Sequence, residues 1–273
     1  MTEHTSDAHL DTVLAAAEAR HDADLADLFR LIAQPSISTQ NVGVRECAAI
    51  VQEYLESAGL TTRIIETAGQ PTVFGEGPQL PGRPTILFYG HYDVQPPEPL
   101  DLWQTPPFEP TVRDGRIYAR GVADNKAQFF SHIAALRAWQ SATGDLPVNV
   151  KFIVEGEEEC GSVNLDATVR THRDRFAADL VYTSDGPVGD DRFSEISFGT
   201  RGMLYVELRA SGASRDLHSG HWGGVAPNPI WQLVHLLCTR RGGEATASSD
   251  GGSVFVARLP VDQQAVDGEL VGR

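Results

Sequence analysis

The chain has 273 residues, 41% of them hydrophobic, and a formal net charge of −15 at pH 7. This length and apolar content suit a globular protein of one large or two ordinary domains. The excess of acid argues against nucleic-acid binding, which needs a basic face. No run of 18 apolar residues occurs, so we expect no membrane span or membrane partner. A polar N-terminus predicts no signal peptide, and three widely spaced cysteines (Cys47, Cys160 and Cys238) favour the reducing cytoplasm.

Segments with helical spacing of apolar residues alternate with apolar runs of strand length. Helices are predicted over residues 8–33, 43–58, 124–140 and 162–174. Strands are predicted in "TTRIIET", "TVFGE" and "GRIYARG" and over residues 84–94, 147–154 and 179–184. The unbroken apolar start of 84–94 indicates a strand that is buried on both faces. The alternation predicts an α/β fold with flanking helices and a mostly parallel central sheet.

The sequence pattern changes at about residue 192. Residues 192–211 predict two strands with alternating polarity, and "NPIWQLVHLL" predicts a helix. We therefore expect a first domain over residues 1–195 and part of a smaller α+β domain over residues 196–240. Residues 241–273 have weak periodicity and many small side chains, and we expect an atypical tail there.

Ionisable residues stand where the predicted central strands end. The strand from residue 84 ends in His91 and Asp93, and the strand from 147 runs into four glutamates at 155 and 157–159. Asp185 follows the strand over 179–184, and Asp124 opens a predicted helix. Ligands of open α/β sheets gather at the carboxyl ends of the strands. One imidazole and several carboxylates at that edge fit zinc, manganese or cobalt.

Each of these residues also has a plainer structural interpretation. His91 and Asp93 can be a simple hydrogen-bonded pair, and the glutamate run can be a solvated loop. Asp124 and Asn125 can cap a helix, and Asp185 in "SDGP" can be a turn residue. The metal hypothesis fails only if all of these interpretations hold at once. Neither a Gly-rich phosphate loop nor a G-x-S-x-G nucleophile elbow occurs.

Five motifs in a fixed order resemble one known family. They are "FYGHYDVQPPEPLDLWQTPPFEP", "GRIYARGVADNKAQ", "VEGEEECGS", "YTSDGP" and "DLHSGHWGG". Together they resemble the dinuclear-zinc metallopeptidases that include carnosine dipeptidase, carboxypeptidase G and succinyl-diaminopimelate desuccinylase. The resemblance covers about residues 10–238, and the long "HYDVQPPEPLDLW" segment looks most like the dipeptidase branch.

The resemblance implies two divalent metal ions, zinc by preference, with manganese or cobalt as alternatives. His91 and Asp185 would hold one ion, and Asp124 would bridge the two. Glu159 would be a ligand of the second ion. The final histidine of that second site lies, in relatives, beyond a segment with which this chain shows no resemblance. We therefore expect the second site to be incomplete here.

The resemblance also implies roles in catalysis. Glu158 would be the general base, and Asp93 would orient the His91 imidazole. His218 would contact substrate and, in dimeric relatives, reaches the active site of the partner subunit. The peptide bond between Asp124 and Asn125 is expected to be cis, as it is in relatives.

The expected activity is metal-dependent hydrolysis of the peptide bond in dipeptides or short peptides by a metal-activated water. Full-length relatives imply a homodimer with a small peptide substrate. In it, residues 1–195 would form the catalytic metal-binding domain and residues 196–240 part of a lid and dimerisation domain. An N-acyl-amino-acid deacylase of the same family is an alternative. A second alternative is a catalytically inactive product of a truncated or frameshifted gene.

Overall fold

A computed structural model describes residues 3–186 and 207–239, together with residues 196, 198, 199 and 202. The chain divides into two units, Met1–Glu195 and Ile196–Arg273, which are described separately. The predicted roles of the three sequence segments remain predictions. The two strands predicted over 192–211 fall largely outside the described residues, and the tail over 241–273 lies wholly outside them.

The first unit contains most of the regular structure, and its elements follow the predicted order. Its helices are α1 (Glu3–Ala33), α2 (Val44–Ser57), α3 (Ala127–Thr143), α4 (Leu165–Thr171) and α5 (Arg173–Phe176). Its strands are β1 (Thr61–Ile65), β2 (Thr72–Glu76), β3 (Thr85–His91), β4 (Thr111–Arg113), β5 (Arg116–Tyr118), β6 (Asn149–Glu155) and β7 (Leu180–Thr183). The second unit contributes α6 (Ser219–Trp222) and α7 (Pro229–Thr239), the latter at the predicted "NPIWQLVHLL" helix. Among the described residues, none of the helices is both long and apolar enough to cross a membrane.

Five strands form one mixed sheet in the order β1-β2-β6-β3-β7. Strands β6, β3 and β7 are parallel to one another, and β2 pairs antiparallel with both β6 and β1. Strand β2 therefore runs against the other four, and the predicted α/β class is confirmed. Strands β4 and β5 form a separate hairpin.

Both faces of the central sheet are covered by helices. Alternate residues of β6 separate onto the two faces, and all seven are buried. Phe152 lies in the main core with residues of α2 and α3. Ile153 lies in a smaller core on the opposite face, with Phe74 and Phe176. A strand that packs on both faces needs apolar residues in succession, which explains the unbroken apolar runs in the sequence.

The predicted helix over 162–174 is two short helices. His172 separates α4 from α5 because its backbone (φ −112°, ψ 24°) leaves helical geometry. The turn places the Phe176 ring 5.4 Å from the Phe74 ring on the sheet. Contact with the core therefore overrides the local helical pattern at this point.

The chain has only two lysines, and both are buried. The Lys126 ammonium donates to the carbonyl oxygens of Leu31 (3.1 Å) and Gln34 (2.6 Å) at the C-terminal end of α1. The Lys151 ammonium donates to the carbonyls of Arg175 (2.6 Å) and Ala177 (2.8 Å) at the end of α5. Each lysine thus satisfies carbonyls left open by a helix terminus, where the helix dipole also favours a cation.

Candidate metal centre

The parallel strands β3, β6 and β7 end at one edge of the sheet, and the predicted site residues of the first unit meet there. His91 is the last residue of β3 and pairs in register with Glu155, the last residue of β6. Asp185 comes two residues after the end of β7. The strand-end rule that motivated the metal hypothesis therefore holds in the structure.

Three of the predicted ligands come together at this edge. His91 Nε2 lies 3.0 Å from Asp124 Oδ1 and 3.3 Å from Asp185 Oδ2. One ligand atom from each of the three residues lies within 4.8 Å of the others. Two donors on a tetrahedral zinc ion with bonds of about 2.0–2.1 Å would be about 3.3 Å apart. The donor set and its spacing therefore fit a divalent ion such as zinc or manganese.

Asp124 occupies an irregular turn, Val122–Lys126, immediately before α3. Its backbone (φ −147°, ψ 96°) is extended within this turn, and the Asp124–Asn125 peptide bond is cis, as expected. The interpretation of Asp124 and Asn125 as helix caps is wrong, because α3 begins after Lys126 with no side-chain cap. The irregular backbone instead directs the Asp124 carboxylate towards His91.

Asp93 connects His91 to the glutamate turn. The His91 Nδ1–H donates to the Asp93 carbonyl oxygen at 3.0 Å and lies 3.4 Å from the Asp93 carboxylate. A carbonyl can only accept, so Nδ1 carries a proton, and Nε2 is the ring nitrogen that a metal would bind. The Asp93 carboxylate accepts the backbone N–H groups of Glu158 (3.2 Å) and Glu159 (3.1 Å). One buried residue thus orients the imidazole through its carbonyl and holds the backbone of both glutamates through its carboxylate.

The electrostatics of the cluster favour a cation. Burial alone would disfavour the charged imidazole, but the hydrogen bond to Asp93 and the charges of Asp93, Asp185 and Glu158 outweigh it. Together these effects raise the pKa of His91 to about 9. Burial also raises the pKa of Glu158, and the neighbouring carboxylates Glu159 and Asp185 add to the increase.

The two predicted functional glutamates lie in different environments. The Glu158 carboxylate is half-buried, and its Oε2 is 3.9 Å from His91 Nε2. The Glu159 carboxylate accepts a hydrogen bond of 2.9 Å from the Gln95 side chain, which also donates to the Glu159 carbonyl. Glu159 is therefore not part of the three-residue cluster, and its role as second-site ligand stays a prediction. Gln95 gave no indication of this contact in the sequence, because 64 residues separate it from its partner.

The other two glutamates of the run have structural partners, which sequence reasoning missed. Glu155 is buried and accepts hydrogen bonds from the Tyr89 hydroxyl (2.6 Å) and the Ser162 hydroxyl (2.9 Å). Gly156 interrupts the run for a steric reason. A Cβ at that position would lie 2.4 Å from the Tyr92 hydroxyl oxygen.

Glu157 is also buried and bound on both carboxylate oxygens. The Asn164 amide donates to them at 2.9 and 3.1 Å, and the Gln70 backbone N–H donates at 3.0 Å. Gln70 is 87 residues away in the sequence, so no local pattern could have predicted the pairing. These two glutamates fasten the turn that presents Glu158 and Glu159.

His218 belongs to the second unit. It stands at the N-terminal cap of α6, where its exposed ring accepts the Gly220 N–H at 3.0 Å and lies 4.9 Å from the His221 ring. Its assignment to substrate binding stays a prediction.

The fold and the cluster define an α/β protein with a candidate metal centre at the carboxyl ends of its parallel strands. The sequence profile of peptidase family M20/M25/M40 matches residues 87–255. The human Beta-Ala-His dipeptidase is 37% identical over 213 residues, which cover 77% of this chain and 41% of the relative. The Cys-Gly metallodipeptidase dug1 of Schizosaccharomyces pombe is 33% identical over 246 residues, 84% of this chain and 52% of the relative.

Solved structures give the same result. The M20 family metallo-carboxypeptidase Sso-CP2 from Sulfolobus solfataricus matches with a TM-score of 0.74 at 34% identity, over 80% of this chain and 49% of the other. Human carnosine dipeptidase 1 matches with a TM-score of 0.65 at 30% identity, over 84% of this chain and 52% of the other. The chain therefore belongs to peptidase family M20/M25/M40. It spans about half the length of the curated relatives that it matches.

Proposed function

We propose that the chain carries the N-terminal metal-binding half of a hydrolase that cleaves the peptide bond of dipeptides or short peptides. The observation that carries this proposal is the cluster of His91, Asp124 and Asp185 with Glu158 beside it. The similarity to relatives named as dipeptidases supports the substrate class.

His91 and Asp185 would hold one divalent ion, Asp124 would face both ions, and Glu159 would face the second. When bound, such ions polarise the scissile carbonyl and lower the pKa of water towards neutrality. The contacts of the ligand residues with the rest of the protein would fix the positions at which the ions bind. The Asp93 carbonyl accepts the proton on His91 Nδ1, so Nε2 is the nitrogen that would bind the metal.

Glu158 is the residue we propose as proton carrier. Its raised pKa suits a carboxylate that takes a proton from the attacking water and returns it to the leaving amine. The Asp93 carboxylate fixes the backbone of Glu158, which limits the positions that its side chain can take. In the homodimer that the same hypothesis predicts, His218 is proposed to reach the active site of the partner subunit and donate a hydrogen bond to the developing oxyanion there. A homodimer, a cytoplasmic location and an incomplete second metal site remain predictions of the same hypothesis.

The chain should be purified and tested for bound zinc or manganese and for hydrolysis of a panel that includes β-Ala-His and Cys-Gly. We expect Glu158→Gln to abolish any turnover and leave the bound metal unchanged, because the amide cannot carry the proton. The matched control is Glu109→Gln, which removes an exposed glutamate outside the cluster.

The possible results separate the hypotheses. Turnover that survives Glu158→Gln refutes the assignment of the base. Bound metal without turnover of any dipeptide refutes peptide hydrolysis by this chain. Absence of metal binding refutes the metal centre itself.

A further inference from the structure

Two side-chain amides form a hydrogen-bonded bridge between the backbone of His91 and the backbone next to Asp185. The His91 backbone N–H donates to Asn125 Oδ1 at 3.2 Å, and Asn125 Nδ2 donates to Gln128 Oε1 at 2.8 Å. Gln128 Nε2 then donates to the Gly186 carbonyl oxygen at 2.8 Å. The bridge thus runs from the end of β3, across the start of α3, to the residue after Asp185.

A second contact from α3 holds the other side of Asp185. His132 Nε2 lies 2.5 Å from the Ser184 hydroxyl, directly before Asp185. The imidazole is stacked on the Phe88 ring at 4.8 Å and meets the Tyr182 ring edge-on at 5.2 Å. The ring is therefore fixed by packing on both β3 and β7.

We propose that Gln128 is a positioning residue that, together with His132, sets Asp185 relative to His91. The inference rests on the proposed metal-dependent function. Asp185 lies beyond the last hydrogen-bonded residue of β7, so the sheet itself does not fix its backbone. Gln128 and His132 hold the residues on either side of it, and both extend from one rigid helix.

The required precision explains why such support is needed. Ligand atoms must lie within a few tenths of an ångström of their bonding distances, and a site loosened by about 1 Å loses function. The partners that hold ligands in place typically contribute 10- to 100-fold to metal affinity. Gln128 spans 58 residues of sequence to reach its acceptor, so only the folded chain shows this role.

The test is a competition titration of the full chain with zinc and a chromophoric chelator, combined with thermal unfolding without metal. Gln128→Met keeps the length of the side chain and removes the amide that accepts from Asn125 and donates to Gly186. We expect it to weaken the tighter zinc site by about 10- to 100-fold. The control is Gln140→Met on the same helix, a residue with no side-chain hydrogen bond in the described part of the chain, and we expect no change in affinity. His132→Phe keeps the ring stacking and loses the Ser184 contact, so it should also weaken the site.

The outcomes are distinguishable. If Gln128→Met binds zinc as tightly as the control, the positioning role is wrong even though the metal centre stands. If its melting temperature falls while the zinc affinity is unchanged, Gln128 is only structural, and the proposal is again overturned. If Gln128→Met does not fold, Gln128→Glu serves instead, because it still accepts from Asn125 but cannot donate to Gly186. Failure of the unsubstituted chain to bind zinc overturns both this inference and the proposed function.

Discussion

Replacing Lys126 with methionine should destabilise the first unit, because a buried cation and its two hydrogen bonds are lost. The side chain is fully buried, and its ammonium donates to the carbonyls of Leu31 and Gln34 at the end of α1. Methionine has a similar length and fills most of the same space. The two carbonyls, however, lose the donor that the buried ammonium supplies.

The magnitude follows from these contacts. Hydrogen bonds to a charged group contribute about 1.5–3 kcal/mol each, so the two together contribute about 3–6 kcal/mol. Burial offsets part of this gain, because it disfavours the ammonium and lowers the pKa of Lys126. We therefore expect a net loss of about 3 kcal/mol in the free energy of unfolding. With a urea dependence of about 2 kcal/mol per molar, the unfolding midpoint should fall by about 1.5 M.

Urea unfolding followed by far-ultraviolet circular dichroism measures this shift directly. Arg116→Met is the control, since it removes an exposed cation from β5 and should change the midpoint by less than about 0.3 M. If Lys126→Met lowers the urea midpoint by no more than the control does, the capping role of the lysine is refuted.

Three further predictions follow from other contacts. Because both lysines are buried, an amine-reactive ester should label only the N-terminal amine of the native chain and should reach Lys126 and Lys151 only in urea. A second label on the native chain, detected by mass spectrometry, would contradict this. Gly90→Ala should cost about 1–3 kcal/mol, because a Cβ there would lie 2.7 Å from a side-chain carbon of α3, whereas Gly77→Ala meets ordinary contact distances and should be neutral. Burial lowers the pKa of His132, so the folded chain keeps this ring neutral while the unfolded chain protonates it. The folded state therefore has its full stability above the ordinary pKa of histidine and loses stability as the pH falls below that value. His132→Phe should therefore lose less stability than the unsubstituted chain between about pH 7.5 and 5.5, and equal losses in urea midpoint would show that His132 does not titrate in this way.

The sequence predicted the strand ends well because the physics there is local. A buried parallel strand needs a continuous apolar run, and the first ionisable residue after it marks the edge of the sheet. His91 and Asp185 were found in this way. The reversed direction of β2 could not be predicted, because a short apolar run does not reveal which way its neighbours run.

Two contacts of the glutamate run were missed for another physical reason, which is that one partner of each glutamate is distant in the sequence. Glu155 and Glu157 are bound by Tyr89 and by the backbone of Gln70, and no periodicity relates such residues. For Asp124, residue type alone allowed both a helix cap and the metal ligand that was predicted. Its carboxylate contacts His91, because the turn before α3 bends its backbone out of the helix.

The pattern of ion pairs explains why the acidic cluster needs a cation. Elsewhere in the first unit, carboxylates pair with arginines, as in Arg30–Glu53 (2.7 Å), Arg45–Glu66 (2.7 Å) and Arg83–Asp145 (2.6 Å).

The carboxylates of the cluster are paired differently. Within the described part of the chain, Asp124, Asp185 and Glu158 form ion pairs with His91 and with neither arginine nor lysine. Three carboxylates around one imidazole leave excess negative charge in a partly buried site, which is costly unless it is compensated. Both lysines are held at helix ends and cannot supply this charge. A bound divalent ion would neutralise the excess, so the same arrangement that is unfavourable for an isolated chain becomes favourable for a metal-binding one.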